Sequence, residues 1–434
     1  MTRFKRENVF ERLSRYVYTL ILSLFFPLVL FLLRKKLILD EEFSQKRKLS
    51  ERFGSLNFTP KPQGILVHCV SVGEINAAAG LINKLLNEYP QISITVSTSS
   101  TTGAVHAYGL FKDRVHHTFL PIDLPWFMSR FFSVLKPKLV LVTEVEIWPN
   151  MLRQCVRRNI PVCLVNARLS DSSFSTYQRL RALFRPALRQ FDVIGAQSQA
   201  SYDNFKSLGV YKQQLKLTLN MKFDIKASEQ DAEKAHLFIN TYALNGIPVL
   251  LAASTHDSEE QFIVEVFQAL KLKHPALKLI VVPRHPHRFE EVYQIINAAG
   301  LNVIKASDES RSSIEDVLLV DKMGWLKACY QLSDIAFIGG SIAPKGGHNA
   351  LECALYAKPM MMGSSLYNNP VICDMLVQAG ALKIIEQIEQ AIQFADMCLS
   401  DKALSRKLGG QGLQVIHKNA GALETTFASI KPFL

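Results

Sequence analysis

Along most of the chain, short apolar runs alternate with longer stretches whose apolar positions recur at helical spacing. Ile65 to Val70 reads as a strand, and Ile75, Ala78, Ile82, Leu85, Leu86 and Tyr89 mark one face of a helix that ends before Pro90. Further strands are expected at Ile92–Val96, Leu139–Val142 and Val162–Val165, with a helix from Pro149. After a polar helical stretch, Ala227 to Asn245, a second series begins. It has strands at Val249–Ala252, Leu279–Val282, Val317–Val320, Ile335–Ile338 and Pro359–Met362. Strands alternating with helices predict βαβ units and parallel sheets. The expected architecture is therefore α/β, with two doubly wound, Rossmann-like domains facing across a cleft. The domains are placed at 41–226 and 227–434, with Ala227–Asn245 at the link and a charged linker, Asp40 to Arg52, before the first.

Polar residues gather just after these strands, where ligands bind in open α/β sheets. In the first half they are Glu74, Glu144, Glu146 and Asn166. In the second they are Ser254-Thr255-His256, Pro283-Arg284-His285, and Asp321 to Gly324. The strongest local signal is Ile338-Gly339-Gly340-Ser341 continuing through Pro344-Lys345-Gly346-Gly347-His348-Asn349-Ala350-Leu351-Glu352. It reads as a strand, a loop with four glycines, and a helix starting near His348 or Asn349. Such a loop lets backbone approach a ligand, and a helix N-terminus with Lys345 beside it suits a phosphate. Glu352, one turn on, is placed to accept hydrogen bonds from a ribose diol.

Composition adds three constraints. At 434 residues with a formal net charge of +12, the chain suits two domains and an anionic partner. Its seven cysteines are dispersed without a C-x-x-C pair, which points to reduced thiols. Tyr16 to Leu33 carries no charge and is flanked by Arg12, Arg15, Arg34, Lys35 and Lys36, with Pro27 in its middle. As a helix it would reach roughly 27 Å, close to a bilayer core, so residues 1–40 are expected to anchor the chain to a membrane. It would either span the bilayer or dip into one leaflet.

Each chemical reading has a plainer rival. Glu74 in a helix's first turn could simply complement the helix dipole, or could deprotonate an acceptor hydroxyl. Glu144 and Glu146 could be a second acidic group or solvated side chains. Lys222 could pair with Asp224, or stabilise a departing phosphate or a substrate carboxylate. Arg284 and His285 are placed to meet an anion, and Arg's planar fork suits a phosphate; His256 could join them. No Walker A sequence, D-x-D pair or zinc spacing is present. Basic and aromatic residues are not interleaved as for nucleic acid.

Several ordered motifs together resemble one family. Ser71-Val72-Gly73-Glu74, Glu144 to Asn150, Asn166-Ala167-Arg168-Leu169-Ser170 and Lys222-Phe223-Asp224 are similar to the 3-deoxy-D-manno-octulosonic acid (Kdo) transferases of lipopolysaccharide assembly. So are Ser254-Thr255-His256, Pro283 to Pro286, Met323-Gly324, and Gly346 to Glu352. The resemblance implies a GT-B glycosyltransferase fold and inverting, metal-independent transfer of Kdo from CMP-Kdo to a lipid A precursor. It implies no cofactor; the cytosolic character of the rest of the chain places the site on the cytoplasmic face of a bacterial inner membrane. By motif, Glu74 would be the general base, and Glu144 and Lys222 would stabilise the transition state. CMP-Kdo would be held by Ser254, Thr255, His256, Pro283, Arg284, His285, Met323, Gly324, Trp325, Gly346, Gly347, His348, Asn349, Ala350, Leu351 and Glu352. The chain departs from the family pattern in having Trp325 where Glu is common, Lys345 for Arg, and Ala350 and Cys353 for Pro. Two other readings stand beside this one: a nucleotide-sugar epimerase of the same fold, and a non-catalytic membrane-bound nucleotide-binding protein.

Overall fold

Runs rich in β-branched and aliphatic residues, apolar on both faces, become central parallel strands because helices cover both sides of the sheet. In the computed structural model, which describes residues 8–39, 49–308 and 313–434, these runs form two all-parallel sheets of seven strands. The first comprises β1 (Ile65–His68), β2 (Ile94–Thr98), β3 (His116–Phe119), β4 (Leu139–Thr143), β5 (Val162–Ala167), β6 (Val193–Ala196) and β7 (Leu215–Leu217). Their spatial order is 3-2-1-4-5-6-7. The second comprises β8 (Val249–Thr255), β9 (Lys278–Pro283), β10 (Val303–Lys305), β11 (Val317–Leu319), β12 (Ile335–Ile338), β13 (Met360–Met362) and β14 (Leu382–Ile384). Their order is 10-11-9-8-12-13-14. The strand order reverses between β1 and β4 in one sheet and between β8 and β12 in the other. Each reversal leaves a crevice at the carboxyl ends of those strands.

The chain divides into two units, residues 1–224 with 420–434, and residues 225–419. The sequence reading assigns the last fifteen residues to the second domain; the structure puts them in the first. The cause is local: Asp224 accepts hydrogen bonds from the Gly421 and Leu423 amides at 2.6 and 2.5 Å, at the start of the helix Ala422–Ile430. Ala422, Phe427 and Ile430 then fill the first unit's core beside Ile75, Ala78 and Val165. Asp224 is thus spent on this cap and not on Lys222. The stretch expected to link the domains forms a helix, Glu229–Thr241, within the second unit, packed on the helix Leu326–Leu332.

The apolar N-terminus forms two helices, α1 (Val9–Leu24) and α2 (Phe26–Leu39), with Pro27 in the first turn of α2. Among the described residues no single helix is long and apolar enough to cross a membrane. Val9–Leu24 and Phe26–Leu32 qualify together by length and composition, but with a 51° bend. Residues 40–48 of the expected linker lie outside the described residues, as do the side chains of Arg34, Lys35 and Lys36. All seven cysteines are buried, and none is in a disulfide.

Candidate active site

In the first unit the crevice between β1 and β4 is lined with carboxylates. β1 ends at His68, and Ser71 caps the following helix, Val72–Glu88, by accepting from the Glu74 amide at 3.4 Å. This turn brings the Glu74 side chain back over the end of the sheet. Its Oε2 accepts from the Val70 amide at 2.8 Å and the Thr143 hydroxyl at 2.7 Å. Its Oε1 accepts from the Ser71 hydroxyl at 3.2 Å. The single hydroxyl proton of Thr143, the last residue of β4, is shared between Glu74 Oε2 and the His68 carbonyl, which lies 2.9 Å away at the end of β1. Glu74 is only 7% exposed, and burial raises its pKa above the usual carboxylate value. Three donors and the nearby Glu144 charge act on it as well, the donors opposing the rise and Glu144 adding to it.

Glu144 follows Thr143 with φ +53°, in the left-handed region that a non-glycine residue enters at a cost. Its Oε1 lies 3.4 Å from Lys222 Nζ. Lys222 is brought there from the far side of the sheet by Asn166, itself at φ +52°, whose Oδ1 accepts from the Met221 amide at 2.9 Å. Asn166 sits where the pairing of β5 with β6 slips register. The structure thus brings the side chains of Glu74, Glu144 and Lys222 near one another, and Asn166 adds the reason Lys222 is there. Burial, reinforced by the Glu74 charge, pushes Glu146 up to about 7, while Trp148 opposes the rise.

In the second unit the crevice between β8 and β12 is cationic. Ser254, at φ +54°, marks a register slip between β8 and β9, and the Arg284 amide donates to the Thr255 carbonyl at 3.0 Å. Three imidazoles converge there. His256 and His348 stack with ring centres 5.1 Å apart and share a hydrogen bond at 2.9 Å, while His285 meets His256 edge-on at 5.4 Å. Arg284 and Lys345 are exposed beside them. Burial first, then these cations and the neighbouring rings, lower His256 to about 4 and His348 to about 3. Both rings are neutral at pH 7, so the fixed positive charge resides on Arg284 and Lys345.

The glycine loop differs from its expected form. The helix after it begins at Leu351, not near His348, and lasts only four residues, with the Asn349 side chain accepting from the Leu351 amide at 3.2 Å. The loop's amides are also engaged. Glu259 accepts from the amides of His256, Gly340, Ser341, Ile342 and Ala343 at 2.8–3.2 Å. The Gly346 amide donates to Ser365 Oγ at 3.1 Å, the Gly347 amide to the Gly340 carbonyl at 2.6 Å, and the His348 amide to the Gly339 carbonyl at 3.1 Å. A phosphate here would meet side-chain cations, because those amides already have partners. Gly339 is required by close approach: a Cβ there would lie 2.4 Å from the Ser254 carbonyl oxygen. Sequence reasoning missed Glu259. The signal was available, since Glu259 follows β8 as Glu74 follows β1, each at the start of a helix.

The other expected contacts divide by exposure. The side chains of Ser254, Thr255, Pro283, Ala350 and Leu351 are buried, leaving backbone as their contacting surface. Met323 is exposed, and Gly324 turns the chain at φ +81°. The Trp325 ring stacks on Phe238 at 4.4 Å beneath Lys234, whose Nζ donates to the Gly324 carbonyl at 2.8 Å. Burial raises the Glu352 pKa against the pull of Lys327 and Arg284. Among the described residues, no group of three or more His, Cys, Asp or Glu side chains is arranged to hold a metal ion.

Known proteins supply an independent comparison. Residues 47–225 match the family model of 3-deoxy-D-manno-octulosonic-acid transferase (kdotransferase). The 3-deoxy-D-manno-octulosonic acid transferase of Haemophilus influenzae is 36% identical, covering 97% of this chain and 99% of that protein. The enzyme of the same name from Bordetella pertussis is 29% identical over 88% and 90% of the two chains. UDP-GlcNAc 2-epimerase from Neisseria meningitidis aligns in structure with a TM-score of 0.55, covering 85% of this chain and 98% of that one. Its sequence is only 15% identical, so this likeness speaks for the GT-B-type fold alone. Taken with the near full-length match to the Haemophilus enzyme, the ordered motifs in both units show that the chain belongs to the Kdo transferase family of glycosyltransferases.

Proposed function

We propose that this protein transfers Kdo from CMP-Kdo to the lipid A precursor, with inversion at the anomeric carbon. The observation that carries the reading is the state of Glu74. Its Oε2 is saturated by two donors, whereas among the described residues Oε1 accepts only the Ser71 hydroxyl and keeps a lone pair available. Its raised pKa moves its basicity toward neutrality, which favours accepting a proton from an acceptor hydroxyl. As that proton moves to Oε1, the hydroxyl oxygen bonds to the anomeric carbon of Kdo. The bond from that carbon to the phosphate oxygen of CMP breaks, and CMP leaves with the electron pair. Lys222, held by Glu144, offsets negative charge developing beside Glu74, and in the second unit Arg284 and Lys345 offer exposed cations that suit the phosphate of CMP. This arrangement needs no metal to neutralise the leaving group.

The membrane anchor and the location at the inner face of a bacterial inner membrane belong to the same proposal. The support is the exposed apolar surface of α1 and α2 and the net charge of +12, which suits an anionic leaflet carrying a phosphorylated glycolipid. The test is transfer by purified protein in detergent, with tetra-acylated lipid A precursor and a system that generates CMP-Kdo. The expected product is heavier than the acceptor by one or more Kdo units in the mass spectrum. An unchanged acceptor, with CMP-Kdo present and the protein folded, would remove this assignment.

A further inference from the structure

The helix Pro149–Arg157 follows the acidic loop Glu144–Trp148, and its own N-cap residue, Trp148, makes no side-chain cap. The cap comes from elsewhere. Asp123, only 1% exposed, accepts from the Asn150 amide through Oδ2 at 2.9 Å and from the Met151 amide through Oδ1 at 2.7 Å. Its carbonyl accepts from the Asn150 side-chain amide at 2.7 Å. The same two residues receive α1. The Tyr18 hydroxyl donates to Asp123 Oδ2 at 3.1 Å, and Thr19 Oγ1 lies 3.0 Å from Asn150 Nδ2 and 3.2 Å from its Oδ1. Ser14 donates to the Ala182 carbonyl at 2.7 Å, and Arg15 is buried with its charge felt by Asp123. The opposite stripe of α1, Phe10, Leu13, Val17, Leu20, Ile21 and Leu24, is exposed. α1 is therefore bonded to the first unit by a polar face and open on an apolar one.

We infer that α1 is a strut, with Asp123 and Asn150 as positioning residues that transmit its seating to the loop bearing Glu144 and Glu146. The apolar stripe takes the acyl region of a lipid surface, and the polar stripe fixes where the loop's C-terminal end lies. The inference rests on the reading of that loop as part of the transfer site. A segment acting only as a tether would have no need of a buried carboxylate shared between itself and the site's helix.

Full-length protein carrying Tyr18→Phe and Thr19→Val tests this, since both changes preserve volume and remove only the hydroxyls. The expected result is a roughly tenfold fall in kcat, consistent with a small misplacement of catalytic groups. Affinity for CMP should be unchanged, and amide exchange should quicken over residues 144–151. Thr19→Ser, which restores one hydroxyl, should recover a measurable part of kcat. Exchange over residues 144–151 equal to the wild type would overturn the strut, as would faster exchange with unaltered kcat. The exchange readout does not depend on activity. A wild-type protein that transfers no Kdo would therefore count against the proposed function and still leave the coupling open to test.

Discussion

The two units place their polar residues at the same topological point, the reversal beside the first strand, and each has a buried glutamate there at the start of a helix. Their environments differ in one respect that decides what each can do. Glu259, fully buried, accepts five backbone amides and has no lone pair left for a ligand. Glu74 accepts three donors and retains an open position at Oε1. A carboxylate with all its acceptor capacity spent shapes a loop; one with capacity left, in a low-dielectric setting, can take a proton. Position after a strand is common to both residues, and the count of donors separates them.

The largest effect is expected from Glu74→Gln, which keeps the shape and hydrogen-bonding reach of the side chain but cannot take the proton. Transfer should fall about a thousandfold, within the ordinary range for loss of a general base, as measured by initial rates at saturating donor. A variant with near-normal turnover would take the base role from Glu74 and erase the comparison.

Glu259→Ala should act on folding. It leaves five amides around a cavity, and at about 1–3 kcal/mol for each buried group left unsatisfied, the second unit should lose at least ~3 kcal/mol even if water reaches several of them. Urea unfolding followed by single-tryptophan variants retaining Trp325 would report on that unit. Unchanged stability would mean that the loop is held by other contacts.

The smallest effect is in pH dependence, and its sign should differ between the imidazoles His256 and His348 and the carboxylates Glu146 and Glu74. His256 and His348 have folded pKa values near 4 and 3, below the ordinary 6.5. Between pH 6.5 and 4 the unfolded chain therefore binds protons that the folded second unit does not, and stability falls as pH falls. Glu146 runs the other way, with a folded value near 7 against an ordinary 4.5, and Glu74 is raised as well. From pH 7 towards 4.5 the folded first unit binds more protons than the unfolded chain, so these groups add stability as pH falls. NMR signals of the His256 and His348 imidazoles should stay in the neutral range at pH 5.5, while the Glu146 carboxyl signal titrates near 7. Imidazoles that protonate near 6.5, or a Glu146 carboxyl that titrates near 4.5, would contradict the assigned environments.

Central strands were legible because burial on both faces leaves an uninterrupted apolar run, as in Leu139 to Val142 and Val249 to Ala252. The short outer strands His116–Phe119, Leu215–Leu217, Val303–Lys305 and Leu382–Ile384 carry polar residues and give no such run. Glu74, Glu144 and Lys222 could be grouped from their motifs. The contacts that fix them could not, since Asn166 reaches Met221 across 55 positions. The work of Glu259 on Gly340 crosses 81 positions, and Asp224 meets Gly421 across 197. In sequence, an acidic residue in a helix's first turn looks the same whether it soothes a dipole, gathers a loop or takes a proton. The break in α1–α2 was hinted at by Pro27, yet the polar stripe that docks α1 was hidden inside an apolar segment.

The most direct measurement is a calorimetric titration of CMP into the wild type, Glu74→Gln and Arg284→Ala. If chemistry lies in the first unit and nucleotide binding in the second, Glu74→Gln should bind CMP within about twofold of the wild type. Arg284→Ala should bind at least tenfold more weakly, the ~1.5–3 kcal/mol expected for a lost hydrogen bond to a charged group. Equal loss of CMP affinity in both variants, or retention in Arg284→Ala, would contradict that division.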